Sequence, residues 1–139
     1  MQVAELRPRL ITFRVEAFQS DNRVEDSGSP WSLELQQEIQ VGLAVPTDSS
    51  GPLQAIVKIT LGAQAHSQQA ASQTASFKGE YTAKFHYPPG LAETVVAPLL
   101  DQEPHQYLLV AQAFPLAMSH FRRELQSTGF DARQLPLGV

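Results

Sequence analysis

Residues 10–18, LITFRVEAF, place Ile11, Phe13, Val15 and Ala17 on one side of an extended chain and Thr12, Arg14 and Glu16 on the other. This period of two predicts a strand with one wet face. A polar connection follows at 20–30, SDNRVEDSGSP, ending at the only tryptophan, Trp31. In 31–45 the odd positions Leu33, Leu35, Ile39, Val41, Leu43 and Val45 are apolar, with Gln37 as the one interruption, and Ser32, Glu34, Gln36, Glu38 and Gln40 alternate with them. PTDSSGP at 46–52 carries hairpin-turn residues, and 53–63 repeats the alternation with Leu53, Ala55, Val57, Ile59 and Leu61. The two strands are expected to pair antiparallel.

The stretch 64–76, QAHSQQAASQTAS, is low in complexity and holds no charged residue apart from a chargeable His66, which predicts a turn near residues 67–69 with fraying strand ends. Alternation resumes with Phe77, Tyr81, Ala83, Phe85 and Tyr87, and Gly79 in that register signals a bulge or a close approach. Pro88, Pro89 and Gly90 stop the strand. From Leu91 the period lengthens: about two helical turns run to Pro98, and acids at 101 and 103 with Pro104 mark a fresh helix start. Tyr107, Val110, Phe114, Ala117, Met118, Phe121 and Leu125 then line one helical face as far as Gly129, a C′ residue.

Pro115 interrupts that face. Inside an ordinary helix a proline removes a hydrogen bond and costs about 3 kcal/mol. The cost disappears if the helix restarts there, because a proline in the first turn has no intrahelical bond to lose. A helix broken at Pro115 is therefore expected. Strands first and helices afterwards argue for an α+β fold, a four-stranded antiparallel sheet with a long Pro-broken helix packed on one face.

Composition narrows the function classes. The 139 residues form a single domain with enough apolar content, 42%, for a real core. With a net charge of −4 and Arg122–Arg123 as the only adjacent basic pair, there is no footprint for nucleic acid. Zero cysteines exclude disulfides and thiolate chemistry. His66, His86, His105 and His120 lack metal-ligand spacing, and phosphate-loop, dinucleotide and serine-hydrolase motifs are absent, so neither an enzyme nor a cofactor or metal is expected. The N-terminal stretch lacks the apolar region of a secretory signal, and no apolar run reaches the ~20 residues that span a bilayer. The expected compartment is the cytoplasm, without membrane insertion.

Four antiparallel strands, a polar crossover ending in Trp31 and a helix carrying F-P-x-A at Phe114, Pro115 and Ala117 resemble the SecB family of export chaperones. Gly129, Phe130, Leu135, Pro136 and Leu137 stand where that family has its G-x-F-P stretch and Leu- and Pro-rich tail. Leu116 and Met118 replace an aromatic and an arginine of the family pattern, and Asp131 replaces a proline. The chain stops at Val139, about where the family begins its second helix and its metal-binding tail, which puts contact with the translocase motor in doubt. The resemblance implies an ATP-independent holdase for unfolded polypeptides, a homotetramer built as a dimer of dimers, and a role in protein export.

A holdase needs exposed apolar surface and a reachable strand edge rather than a reaction centre. Trp31, Phe18, Phe13 and Phe130 are the candidate peptide-binding residues; for Trp31 and Phe18 the competing reading is that they fold back to close the core. Phe18 falls out of step with the inward residues of its strand. The stripe Tyr107, Val110, Phe114, Met118, Phe121 and Leu125 exceeds what one half-covered sheet needs, which makes it the candidate subunit interface. A second functional reading keeps the scaffold but gives it one dedicated partner, such as a toxin–antitoxin protein.

Overall fold

In the computed structural model, which describes residues 7–22, 31–46, 51–67 and 74–130, the period-two segments become four long strands. These are β1 (Arg9–Asn22), β2 (Trp31–Ala44), β3 (Gln54–Ser67) and β4 (Thr74–His86). A short helix α1 (Glu93–Val96), a 3-10 turn (Ala97–Asp101) and the 25-residue helix α2 (Glu103–Ser127) follow. The strands make one antiparallel sheet in the order β1-β4-β3-β2, so β1 and β2 are its edges. No described helix is long and apolar enough to cross a membrane.

β2 and β3 pair without irregularity from Trp31 opposite Ser67 to Ala44 opposite Gln54, as their shared alternation predicts. β3 and β4 continue further into the Ala, Ser and Gln stretch than their side chains suggest. Ala65 and Ala75 oppose one another and both are buried. The turn expected at 67–69 falls beyond Ser67, outside the described residues, as do most of the crossover and the segment 131–139.

The covered face is the odd one. Val57, Ile59, Leu61, Tyr81, Ala83 and Phe85 meet Leu109, Val110, Ala113, Phe114, Ala117, Met118, Phe121 and Leu125 of α2 in one core. The even positions of β3 and β4, including Lys58, Thr60, Lys78 and Lys84, stay on the open, polar face.

β1 departs from its simple alternation. Its register with β4 slips between Leu10 and Thr12 and again between Val15 and Ala17, so Ile11 and Glu16 are extra residues at two bulges. Each bulge inverts the sides downstream of it. Leu10, Phe13, Val15 and Phe18 therefore oppose Phe85, Ala83, Tyr81 and Gly79 on the helix side, whereas Ala17 opposes Glu80. The expected grouping of Ile11 and Ala17 with Phe13 and Val15 is thereby corrected, and Phe18 joins the inward set.

The expected break at Pro115 is also corrected, since α2 runs through it. Phe114, Ala117 and Met118 around the proline are fully buried and hold both halves against the sheet. Pro115 sits on the outer side, and Ala111, whose carbonyl loses its N–H partner, is partly exposed, where water can replace that donor. The C-terminus ends as expected at Gly129, with φ +98. Phe130 N–H donates to the Leu125 carbonyl at 3.1 Å and Gly129 N–H to the Gln126 carbonyl at 3.1 Å, the two bonds of a Schellman cap.

Candidate functional site: the apolar margins of the sheet

α2 is narrower than the sheet it covers. It packs on β3, β4 and β1, while β2 is flanked by the 3-10 turn. Leu33, Leu35, Ile39, Val41 and Leu43 share the helix-side face with the buried β3 residues, yet each remains partly exposed. Beside them the outer backbone edge of β2 has no neighbouring strand among the described residues. The result is an apolar strip bordered by unpaired N–H and C=O groups, the geometry in which an extended peptide adds as a further strand. Gln37, exposed in the otherwise apolar register, is the kind of inward polar residue that edge strands carry.

The β1 margin is aromatic. Phe13 stacks on Tyr81 with centroids 5.8 Å apart and planes 15° apart. Phe18 meets His120 at 5.8 Å and Phe121 at 6.1 Å, edge-on in both cases. Both rings are half-buried, and Val15 between them is 43% exposed. The Tyr81 hydroxyl lies 2.9 Å from His120 Nδ1, and His120 Nε2 lies 3.5 Å from a Glu124 carboxylate oxygen. Burial, and next the Glu124 charge, push the Tyr81 hydroxyl well above its ordinary range, which keeps it neutral.

The residues nominated from sequence thus divide. Phe13 and Phe18 come together on the β1 margin, and Trp31 opens β2 at the opposite edge, its side chain outside the described residues. Phe130 belongs to neither margin; it is buried, edge-on to Phe77 at 5.4 Å. The proposed interface stripe requires correction. Phe114, Met118, Phe121 and Leu125 are fully buried within the chain and Val110 nearly so, because the sheet itself consumes that face. Tyr107 alone of the six offers surface, 58% exposed, and Leu116 at 41% lies beyond it on the outer side of α2.

Sequence reasoning missed the β2 strip because period two shows that a face is apolar without showing that it lies beyond the helix. Gln37 was the available signal. Among the described residues no group of His, Asp or Glu is arranged to hold a metal ion.

A four-stranded antiparallel sheet with one long helix across its face and apolar margins left at both edges is the SecB-like fold. The structure is similar to the SecB-like chaperone Rv1957 of Mycobacterium tuberculosis, solved in complex with a ChAD peptide from the Rv1956 HigA1 antitoxin, with a TM-score of 0.60. The match covers 96% of this chain and 88% of that one at 17% sequence identity. No protein-family model and no curated protein matches the sequence.

Proposed function

We propose that this chain is an ATP-independent chaperone that holds non-native polypeptides against the apolar margins of its sheet. The supporting observation is the strip of Leu33, Leu35, Ile39, Val41 and Leu43, left partly exposed beside a strand edge that has no neighbour among the described residues. Covering a few hundred Å2 of such surface is worth about 5–8 kcal/mol before ordering costs, at ~25 cal/mol per Å2. Main-chain pairing along β2 adds affinity without demanding a particular client sequence. Trp31, the first residue of β2, is a further candidate contact, and Phe13 and Phe18 provide a second contact on β1. The outer face of α2, with Tyr107 and Leu116, joins protomers into a homo-oligomer, a dimer of dimers. The protein works in the cytoplasm and serves protein export.

The test is aggregation of a chemically unfolded client with the purified protein at stoichiometric ratio. Delayed aggregation is expected, and an unchanged time course rejects the reading. A second reading, a dedicated adaptor for one partner of the toxin–antitoxin kind, draws on the antitoxin peptide held by the similar Mycobacterium tuberculosis chaperone. Competition separates the two readings: unrelated unfolded proteins displace one another from a general chaperone, and only one partner binds an adaptor.

A further inference from the structure

A second recess lies where β1 begins and β4 ends, away from Trp31. It is a cleft of about 780 Å3 closed by residues 51 and 52 and by the turn leading into α1. Arg7, Arg9 and His86 supply its polar groups, and Ile11, Pro88 and Leu91 its apolar surface. Tyr87 forms part of the wall, and its hydroxyl is held 2.8 Å from Nε2 of the buried His105 beneath it. The Gln54 amide lies 3.2 Å from His86 Nε2 and steadies that ring.

Two features of this cleft point to a ligand. At the first bulge of β1, Ile11 is the extra residue without a partner on β4, and it is 45% exposed at the cleft. Bulges characteristically re-aim a side chain next to a binding site. The second feature is charge. Arg7 and Arg9 are exposed and have no ion-pair partner among the described residues, although the chain carries a net charge of −4. Glu93, beside the cleft wall at Ala92, forms no pair with them either.

We propose that this cleft is a second docking subsite, for client segments that carry a carboxylate side chain next to an apolar one. The apolar side chain packs against Ile11, Pro88 and Leu91 while the carboxylate meets the Arg7 and Arg9 guanidiniums. The inference rests on the polypeptide-binding reading above and adds a preference to it. Trp31 opposes Ser67 at one end of the sheet, and Gln54 opposes His86 at the other. At ~3.3 Å per residue the ends are roughly 40 Å apart. The cleft therefore engages a client segment separate from the one held along β2, and the chain joining the two segments raises the effective concentration of the second contact.

The experiment compares two labelled peptides of about 15 residues by fluorescence anisotropy. Both carry the same leucine-rich sequence, one with Asp beside a leucine and the other with Asn there. The full chain is expected to bind the Asp peptide ~3–10-fold more tightly, from two exposed ion pairs. That ratio should collapse towards one in 0.5 M salt, where charges are screened within about 4–5 Å, and in the R7Q/R9Q variant. Equal affinities in the unmodified protein, or a ratio that survives in R7Q/R9Q, overturn the subsite while leaving the chaperone reading intact. A protein that binds neither peptide and fails to delay client aggregation overturns both.

Discussion

The Tyr81 hydroxyl and His120 Nδ1, 2.9 Å apart, join the centre of the sheet to the second half of α2. Gly79 makes that contact possible. A Cβ at position 79 would lie 2.5 Å from the Tyr81 hydroxyl oxygen and 2.8 Å from two ring carbons. The missing side chain is the space over which the tyrosine folds, the close approach expected of a glycine in this register.

Removing the hydroxyl with Tyr81→Phe should cost ~1 kcal/mol, the net value of one hydrogen bond. His120→Ala should cost more, about 1–3 kcal/mol, because the buried hydroxyl is then left without a partner. Gly79→Ala displaces the ring and should cost about 1–3 kcal/mol through overpacking. Urea unfolding measures all three, and in a double-mutant cycle Gly79→Ala and Tyr81→Phe should be non-additive. Additive losses would show that the glycine acts through something other than the tyrosine.

Pro115→Ala should stabilise the protein by up to about 3 kcal/mol, since α2 is continuous and the alanine restores a donor to the Ala111 carbonyl. The thermal midpoint reads this directly. A loss of stability on substitution would mean that a local bend at the proline matters more to the packing of Phe114 and Met118 than the recovered bond.

His105 carries a pH dependence. Burial lowers its pKa below the ordinary 6.5, so the folded chain resists a proton that the unfolded chain accepts. The stabilisation is therefore complete above about pH 6.5–7 and diminishes as pH falls from there through the folded-state value. Burial pushes the neighbouring Tyr87 hydroxyl up to about 12, so it stays neutral throughout this window. The thermal midpoint should drop between pH 7.5 and 5.5 in the natural sequence and drop less in His105→Leu; identical slopes would remove His105 as the cause.

The two faces of α2 should respond in opposite ways. Phe114→Ala empties a fully buried site and should cost about 3–5 kcal/mol. The pair Tyr107→Asp and Leu116→Asp touches exposed positions and should leave stability within ~0.5 kcal/mol per site of the monomer's. On the proposed assembly that pair lowers the mass measured by light scattering. An unchanged mass would locate any subunit contact elsewhere.

On β2, Leu35→Thr with Ile39→Thr retains strand-forming residues but removes apolar surface from the partly exposed strip. Client affinity should fall ~10-fold by anisotropy, for about 1–2 kcal/mol of lost burial. Trp31→Ala should likewise weaken binding with little movement of the thermal midpoint. If stability falls while affinity holds, the strip is ordinary core and the client binds elsewhere.

Much of the architecture was readable in advance because its signals are local. Alternation in 31–45 and 53–63 defines β2 and β3 and their antiparallel pairing, and the longer period after Leu91 defines the helices. The Gly129 cap follows from a conformation that glycine adopts without cost. The candidate site was less legible, because its residues differ from core residues only in what lies above them. Leu35 and Leu61 have the same chemistry and the same parity, but α2 covers one strand and stops short of the other.

The chain's own pattern of apolar and polar residues therefore determined the element types, their order and the α+β class. Tertiary structure alone decided that two bulges turn Phe18 inward and leave Ile11 exposed, that the helix stripe is spent within the protomer, and that β2 is an edge of the described sheet. The reason is physical: side-chain period is set by backbone geometry within a few residues. Register, edge position and exposure depend on which distant segment packs alongside.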